Sequence, residues 1–259
     1  MSETENDPIV IAVIGIKGGS GKTTLCATLA SAITDIGKRV LLIDTDDQRS
    51  LDGWAKDGRK AGNGSDLMEC QVAPDADRLD ALIDDAFRRQ TADFILIDTA
   101  GVGGKQADEI AVQANLIVTP CMLTGYNYRS TMKTVEWYDR LTARVDDPSA
   151  LARLFVIINK VTTDNNGALK LGPVERKIFE DIKENFPVFP YFLKERKVYT
   201  NMEVTGLLRP IATKLAESPK PLERGQAAPY EAALSEAKFF LIELLNRGLS
   251  DNEEEDASA

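Results

Sequence analysis

The amino-acid sequence predicts one α/β domain in which helices cover both faces of a doubly wound, mostly parallel sheet. Several short segments are apolar along their whole length, as strands buried on both faces are, and segments with helical spacing alternate with them. The 259 residues, 43% of them hydrophobic, suffice for one sizeable core. Because such sheets bind ligands at the carboxyl ends of their strands, we expect the functional site there.

Strands and helices follow one another along the chain. The first predicted strand covers residues 9–16, and the helix after it ends at Gly37. Further strands are predicted over residues 39–44, 93–98, 114–120 and 154–160, with a short last strand over 188–192. Further helices are predicted over residues 75–90, around 126–144 and over 229–248. The last helix has Pro229 early and Gly248 just past its end, a distribution that helix termini favour.

Acidic residues are concentrated at the two ends of the chain. The net charge is −10, but residues 8 to 250 carry only −2. We therefore predict a folded domain over residues 9–248, between flexible acidic tails over residues 1–8 and 249–259. The polar N-terminal segment is unlike a signal peptide, and no apolar run approaches the ~20 residues that span a bilayer.

The cysteine and histidine content limits the chemistry. Three widely spaced cysteines indicate a reducing cytoplasm rather than a disulfide framework. The chain has no histidine, which excludes Ser-His and Cys-His nucleophilic catalysis and histidine-ligated metals. Catalysis would therefore depend on carboxylates, lysines, backbone amides and Mg²⁺.

Residues 13–26, VIGIKGGSGKTTLC, have the pattern of a phosphate-binding loop between a strand and a helix. The glycines would let backbone N–H groups surround phosphate oxygens, at a helix N-terminus that favours anions. Lys22 would reach the β- and γ-phosphates, and the Thr23 hydroxyl would ligate Mg²⁺. The strict pattern fails where Ile16 replaces its first glycine. The predicted nucleotide-binding residues of the loop are Lys17, Gly18, Gly19, Ser20, Gly21, Lys22, Thr23 and Thr24.

Carboxylates stand at the ends of two other predicted strands. Asp44 and Asp46 end one of them, and Asp98 ends the other at the position of a Walker-B carboxylate that holds Mg²⁺. A single acidic residue after a strand is most often a turn former or helix cap. Two such strands beside a phosphate loop instead predict a metal–nucleotide site, with Thr23, Asp44 and Asp98 as metal ligands.

These segments resemble the ParA/MinD family of deviant Walker-A ATPases. KGGSGKTT matches the family's loop at every position, and RVLLIDTDDQRS matches its second motif except that Asp47 replaces the usual proline. The resemblance extends from about residue 9 to 246, and its motifs are specific in the N-terminal half. It implies Mg²⁺-dependent hydrolysis of ATP, with Lys17, Lys22 and Asp46 as catalytic residues. Lys17 would cross the interface of an ATP-bound homodimer to the partner's phosphates, and Asp46 would polarise the attacking water.

The resemblance also implies partners. Only about eight residues precede the first strand, so we expect a small member of the family without an N-terminal helix-turn-helix domain; QRSLDGWAK (48–56) is similar to that subgroup. Such members bind nonspecific DNA as an ATP dimer, and a ParB-like or cargo-adaptor protein stimulates their slow hydrolysis. We expect a cytoplasmic, nucleoid-associated switch that positions a plasmid or chromosome, transferred DNA or a protein assembly.

Contacts with the base and with DNA are carried by weaker signals. Asn159 in IINK stands where related ATPases bind adenine, and the segment from Pro190 to Phe192 would wall the ring. Residues 170–224 hold eleven Lys and Arg against eight Asp and Glu, which favours weak, salt-sensitive contacts with DNA phosphates. A mixed solvated face accounts for the same charges equally well. The candidate DNA-binding residues are Lys194, Arg196, Lys197, Arg209, Lys214 and Lys220.

A GTPase is one alternative. DTAG at residues 98–101 matches the D-x-x-G signature, and Asn159 with Lys160 begins an N-K-x-D signature. The carboxylate that would read guanine is replaced by Thr162, and Asp164 comes two residues late. The sequence therefore favours ATP.

Three further alternatives share the loop. The nitrogenase-iron-protein branch bridges an iron–sulfur cluster with cysteines, for which Cys70 and Cys121 are candidates, although free cysteines are ordinarily buried hydrophobes. Membrane-surface ATPases of the MinD kind end in a basic amphipathic helix, whereas this chain ends in SDNEEEDASA. A small-molecule synthase or ligase has no recognisable substrate motif here and stays open.

Overall fold

The fold is built on a six-stranded parallel sheet. The computed structural model describes residues 7–16, 19–101, 105–164 and 167–250. The strands are β1 (Ile9–Val13), β2 (Val40–Asp44), β3 (Met68–Val72), β4 (Phe94–Asp98), β5 (Leu116–Cys121) and β6 (Arg153–Ile158). Their order across the sheet is β3–β2–β4–β1–β5–β6, and every neighbouring pair is parallel. The register places Asp44 of β2 beside Asp98 of β4.

Ten helices lie in the described part of the chain. They are α1 (Lys22–Asp35), α2 (Ser50–Lys60), α3 (Ala76–Arg89), α4 (Lys105–Gln113), α5 (Gly125–Thr142), α6 (Pro173–Asn185), α7 (Lys197–Thr205), α8 (Leu208–Ala216), α9 (Pro221–Arg224) and α10 (Ala227–Leu249). None of these helices is both long and apolar enough to cross a bilayer.

Alternate strand residues face two separate helix layers. One core packs the sheet against α1, α2, α7, α8 and α10, and the other packs it against α3, α4, α5 and α6. In β1, Ile11 and Val13 belong to the first core, whereas Val10 and Ala12 belong to the second, as the two-residue period of a strand requires. The predicted class, a single doubly wound α/β domain with helices on both faces, is confirmed.

Two strand predictions differ from the structure. Residues 188–192 form no strand, because Val188 makes only an isolated bridge to Val156 at the edge of the sheet. Conversely, β3 is a strand that the sequence does not predict. It is an edge strand whose residues after Met68 are exposed or half-buried, so it lacks the continuous apolar run of the inner strands.

The C-terminal helix α10 is longer than predicted. It runs past Gly248 to Leu249, so Gly248 lies inside the helix and not beyond its end. A Cβ at this position would collide with the side chain of Leu116 at the start of β5. The glycine therefore permits the last turn of α10 to approach the sheet closely.

Candidate nucleotide-binding site

The phosphate-binding loop connects β1 to α1 at the carboxyl end of the sheet. Gly21 is the N-cap of α1 with φ of 100°, a left-handed conformation that glycine adopts without strain. A Cβ there would stand 2.5 Å from Nδ2 of Asn159, and this amide donates to the Ser20 carbonyl oxygen at 3.0 Å. Asn159 therefore supports the loop from the end of β6. The predicted residues Lys17 and Gly18 lie outside the described part of the chain.

The structure brings Thr23 and Asp98 together. The Thr23 hydroxyl donates to Oδ2 of Asp98 at 2.6 Å, and Oδ1 of Asp98 is buried without a hydrogen-bond partner among the described residues. Burial raises the pKa of Asp98 to about 6, although Thr23 and the charge of Lys22 act to lower it. Lys22 is itself buried at the first turn of α1. A hydroxyl beside an unpartnered carboxylate oxygen is a hard oxygen donor set that fits Mg²⁺.

Asp44 occupies a different position from the one predicted for a metal ligand. It is fully buried, and its Oδ1 accepts the backbone N–H of Asp46 at 3.0 Å. Its Oδ2 accepts the N–H groups of Leu51 and Asp52, at 2.9 and 3.0 Å, near the start of α2. Because both oxygens are used by backbone amides, the geometry favours a positioning role: Asp44 holds the loop between β2 and α2 that carries Asp46.

Asp46 faces the phosphate loop across an open cleft. The cleft has a cavity volume of about 350 Å³ and is lined by Gly19, Gly21, Lys22, Thr23, Thr24, Asp46, Trp54, Asp98, Lys160 and Glu203, among others. We call it the phosphate cleft. Its volume lies in the range of about 300–1,000 Å³ that is usual for small-molecule sites. Asp46 is half-buried, and its Oδ1 accepts only the N–H of Gln48 at 2.9 Å among the contacts of the described residues, so its carboxylate is open towards the cleft.

A second, smaller cleft with a cavity volume of about 60 Å³ adjoins the first, and we call it the base cleft. Asn159 lines it, as predicted for a base contact, together with Leu193, Lys194, Glu195, Arg196 and Tyr199. Pro190 is exposed and lies outside both clefts, so its predicted contact with the ring has no support in this geometry. Leu193 lines the base cleft instead, and Phe192 does not. The Leu193 carbonyl oxygen accepts the backbone N–H of Val161, which holds this segment beside the cleft.

The two clefts meet at a junction formed by Gly21, Thr24, Lys160 and Glu203, which line both. The Thr24 hydroxyl donates to Oε1 of Glu203 at 2.6 Å. Trp54 Nε1 donates to the carbonyl oxygen of Met202 at 2.8 Å, which ties α2 to α7 beside the phosphate cleft. The sequence carries no signal for Glu203, because α7 reaches the site only through the tertiary fold, and it gives Trp54 no role beyond a place in QRSLDGWAK. Lys160, in contrast, directly follows the predicted Asn159.

Five of the six candidate DNA-binding residues have intramolecular partners. Lys194 and Arg196 pair with Glu236, Arg209 pairs with Asp35 and Glu231, and Lys220 pairs with Glu223. The Lys214 ammonium donates to the Ala61 carbonyl oxygen at 2.7 Å. Lys197 makes no ion pair with a residue that the structure describes. Lys194 and Arg196 also line the base cleft, so the six do not share one environment.

The cysteines and the GTPase signature also have definite places. Cys26 and Cys121 are buried and Cys70 is half-buried in β3; burial raises the pKa of Cys70 to about 12 and that of Cys121 to about 11. Raised thiol pKa values oppose the thiolate form that ligates metals. Asp164 accepts the N–H of Ala168 at 2.9 Å within its own loop and does not line the base cleft. In the described ranges, no group of three or more Cys, Asp or Glu side chains is arranged to hold a metal ion.

A parallel sheet of this order, with a phosphate loop after its central strand and carboxylates after β2 and β4, defines a P-loop NTPase-like fold of the MinD/ParA type. The profile of the VirC1 protein family matches residues 9–249. The chain therefore belongs to the VirC1 family, which is homologous to the ParA/MinD-type partition ATPases.

Individual relatives agree with this membership. The chain is 26% identical to protein virC1 of Rhizobium rhizogenes and 27% identical to protein virC1 of Rhizobium radiobacter, in each case over 77% of this chain and 82% of the relative. It is 24% identical to the maintenance of carboxysome distribution protein A of Halothiobacillus neapolitanus, over 78% of this chain and 87% of that protein.

Solved structures share the fold at lower identity. The MinD cell division protein of Aquifex aeolicus matches with a TM-score of 0.60 at 20% identity, over 90% of this chain and 97% of that one. An ATP complex of a Cyanothece McdA variant matches at 0.57 and 15% identity, over 90% and 96%. A cobyrinic acid a,c-diamide synthase of Mycobacterium smegmatis with ADP and magnesium matches at 0.55 and 18% identity, over 82% and 97%.

Proposed function

We propose that this protein is an ATP-dependent switch: it binds Mg-ATP, dimerises around the nucleotide, binds nonspecific DNA in that state and is released by partner-stimulated hydrolysis. The observation that carries the proposal is the pairing of Thr23 with the half-satisfied carboxylate of Asp98, in the same cleft as Lys22 and Asp46. This arrangement supports hydrolysis of a nucleoside triphosphate, because charge stabilisation and an oriented water are its main requirements.

Each residue of the phosphate cleft has a distinct part in that reaction. The backbone of Gly19 and Gly21 and the dipole of α1 bind phosphate oxygens, and Lys22 neutralises charge on the β- and γ-phosphates. Asp46 accepts a hydrogen bond from the water that attacks the γ-phosphorus, which yields ADP and phosphate. Asp44 fixes the backbone of Asp46 and so the direction of that carboxylate. Lys17 of a second copy would add positive charge as the leaving oxygen separates.

The donor set for Mg²⁺ is Thr23 with Asp98. Its support is the buried Oδ1 of Asp98, which has no partner among the described residues and lies beside the hydroxyl that Thr23 contributes. With only these protein ligands, the ion would keep water and phosphate oxygens in its remaining positions, as is usual for Mg²⁺. When bound, it supplies charge neutralisation for the phosphates.

The base cleft favours adenine over guanine. Asp164, the carboxylate that follows the incomplete N-K-x-D signature, accepts the N–H of Ala168 in its own loop and does not line the base cleft. The homology to ATPases and the ATP complex of McdA support the same nucleotide.

We propose that DNA contacts the protein through exposed cations. Contacts through Lys194, Arg196, Arg209 or Lys220 would have to replace existing ion pairs, whereas Lys197 is available. A second set of cations lies on one face of α5, where Arg129, Lys133 and Arg140 are exposed at helical spacing. Lys133 and Arg140 make no side-chain ion pair within the described residues. We therefore compare Lys197→Glu with the double variant Lys133→Glu/Arg140→Glu.

Nucleotide-dependent DNA binding tests the whole proposal. Binding to random-sequence duplex DNA is measured with ATP, ADP or no nucleotide, together with dimer mass by light scattering and phosphate release. We expect DNA binding with ATP alone. Lys17→Ala should lose dimerisation and hydrolysis, Lys22→Ala should lose productive nucleotide binding, and Asp46→Ala should accumulate the ATP dimer; Lys60→Ala on α2 is the surface control. Hydrolysis by a monomer that Lys17→Ala leaves unchanged would refute the switch.

One of the solved structures that share the fold is a synthase, and this suggests an alternative function that can be tested. A ligase that shares the loop would couple ATP cleavage to a small substrate and would ignore DNA. If the ATP dimer forms but does not bind DNA in low salt, the positioning function is wrong and the ATPase assignment stands. The cargo then has to be sought among protein assemblies and small substrates, beginning with proteins that stimulate phosphate release.

A further inference from the structure

Lys160 has a backbone conformation that residues with a Cβ rarely adopt. Its φ is 52°, in the left-handed region that is strained for residues with a Cβ. The other described non-glycine residues with positive φ are Arg49 and Gln90, which stand at the ends of α2 and α3. Lys160 caps no helix. The N–H groups on either side of it, those of Asn159 and Val161, bond to Cys121 and Leu193 of neighbouring segments. Strain of this kind is concentrated at functional sites.

The conformation places Lys160 at the junction between the two clefts, whose lining it shares. It is exposed, whereas Lys22 is buried and lines the phosphate cleft but not the base cleft. Lys160 forms no ion pair with any residue that the structure describes. The nearby carboxylate of Glu203 is held by the Thr24 hydroxyl. The junction therefore presents an ammonium group that is available to an anion.

A nucleotide that fills both clefts has to pass this junction. With its β- and γ-phosphates at Lys22 and Thr23 and its base beside Leu193 and Tyr199, the atoms between them are the α-phosphate and the ribose. Only the α-phosphate is an anion. We propose that Lys160 binds the α-phosphate of the nucleotide held by its own subunit, and so selects nucleotides over nucleosides. This inference rests on the proposed ATP-binding function and adds a third lysine to the site.

The backbone strain makes the proposal testable beyond a loss of affinity. Glycine adopts positive φ freely, so Lys160→Gly removes both the strain and the ammonium group. We expect Lys160→Gly to raise the melting temperature of the nucleotide-free protein while it weakens nucleotide binding.

The experiment measures displacement of a fluorescent ADP analogue by adenosine, AMP, ADP and ATP. Lys160→Gln should weaken AMP, ADP and ATP by a similar factor, roughly tenfold for one lost charge-assisted hydrogen bond, and leave adenosine unchanged. Lys160→Arg should retain most of the affinity. Lys22→Gln should weaken ADP and ATP but not AMP, which separates the phosphate positions. Lys60→Gln is the matched control for the loss of one surface charge.

Several outcomes would overturn the inference without touching the proposed function. They are wild-type affinity for AMP in Lys160→Gln, an equal loss for adenosine, or failure of AMP to compete better than adenosine with the wild-type protein. A wild-type protein that binds no ATP would instead refute the proposed function itself. A lower melting temperature of Lys160→Gly would also overturn the inference, because it would show that the Lys160 side chain stabilises the fold.

Discussion

At the scale of single residues, the loop depends on one glycine that touches the end of β6. Gly21 has positive φ and contacts the Asn159 amide, so Gly21→Ala combines backbone strain with a clash. We expect a loss of about 2–4 kcal/mol in the free energy of unfolding and no measurable ATP binding. The control is Gly19→Ala, where φ is 79° but no atom lies within 4 Å of the added Cβ. It should lose about 1 kcal/mol, because only the strain applies. Urea denaturation measures the stability of both variants; equal losses in the free energy of unfolding would contradict the role of Asn159.

The Asp44 carboxylate accepts three backbone N–H groups, so its role as a positioning residue can be tested against a role as a metal ligand. Asp44→Ala should lower the free energy of unfolding by about 3 kcal/mol, since three N–H groups, two of them in buried hydrogen bonds, lose their acceptor. Hydrolysis should fall with Asp46 displaced, while the Mg²⁺ concentration at half-maximal ATP binding stays unchanged. Asp47→Ala, at the exposed neighbour, is the control. A large rise in the Mg²⁺ requirement of Asp44→Ala would restore Asp44 as a ligand.

At the scale of elements, one carboxylate ties three helices together. Asp35 at the end of α1 bonds Arg209 of α8 at 2.6 Å and Lys238 of α10 at 2.7 Å. We expect Asp35→Asn to cost about 1–3 kcal/mol at neutral pH, the usual range for hydrogen bonds to charged groups. Asp57→Asn, which breaks an exposed pair with Lys60 on α2, should cost less than about 0.5 kcal/mol.

The difference in stability between wild type and Asp35→Asn should depend on pH, because the fold lowers the pKa of Asp35. Burial acts to raise the pKa of Asp35, but the hydrogen bonds and charges of Arg209 and Lys238 outweigh it and lower the value below 3.8. Above about pH 4, where the unfolded carboxyl is also ionised, the stabilisation is fully present. It is lost as pH falls through the lowered folded-state pKa. Thermal unfolding from pH 3 to 8 should therefore show a constant gap between wild type and Asp35→Asn that closes only at the acidic end.

The sequence predicts five of the six strands, all but the edge strand β3, and predicts the helices of the C-terminal half less well. The buried strands β1, β2, β4, β5 and β6 are nearly continuous apolar runs, which only a covered parallel sheet requires. The edge strand β3 and the irregular segment after β6 have mixed patterns, because each is covered on fewer sides. The loop and its carboxylates are local in sequence and can be predicted. The junction is not, because Thr24 and Glu203 meet across 179 positions of the chain.

At the scale of the whole molecule, the phosphate cleft draws on segments from Gly19 to Glu203. Glu203 and Trp54 both connect it to α7, which also carries Lys197. Helix α7 therefore contacts the phosphate-binding loop through Glu203 and also carries Lys197, a cation that we propose for DNA binding. Such an arrangement suits a protein in which nucleotide state controls a second binding event, since both sites share one rigid element.

The proposed ATP dimer can be tested by mixing two inactive variants. If Lys17 acts across the interface, Lys17→Ala lacks the residue donated to the partner, whereas Asp46→Ala lacks one used in its own site. A mixed dimer then has one complete site: the Asp46 of the first subunit with the Lys17 of the second. Each mixed dimer has one active site of two, so phosphate release per mixed dimer counted by mass should recover to about half that of a wild-type dimer. Lys17→Ala mixed with the double variant Lys17→Ala/Asp46→Ala should recover nothing. If the first mixture releases no phosphate although mass measurements detect mixed dimers, then Lys17 acts within its own subunit.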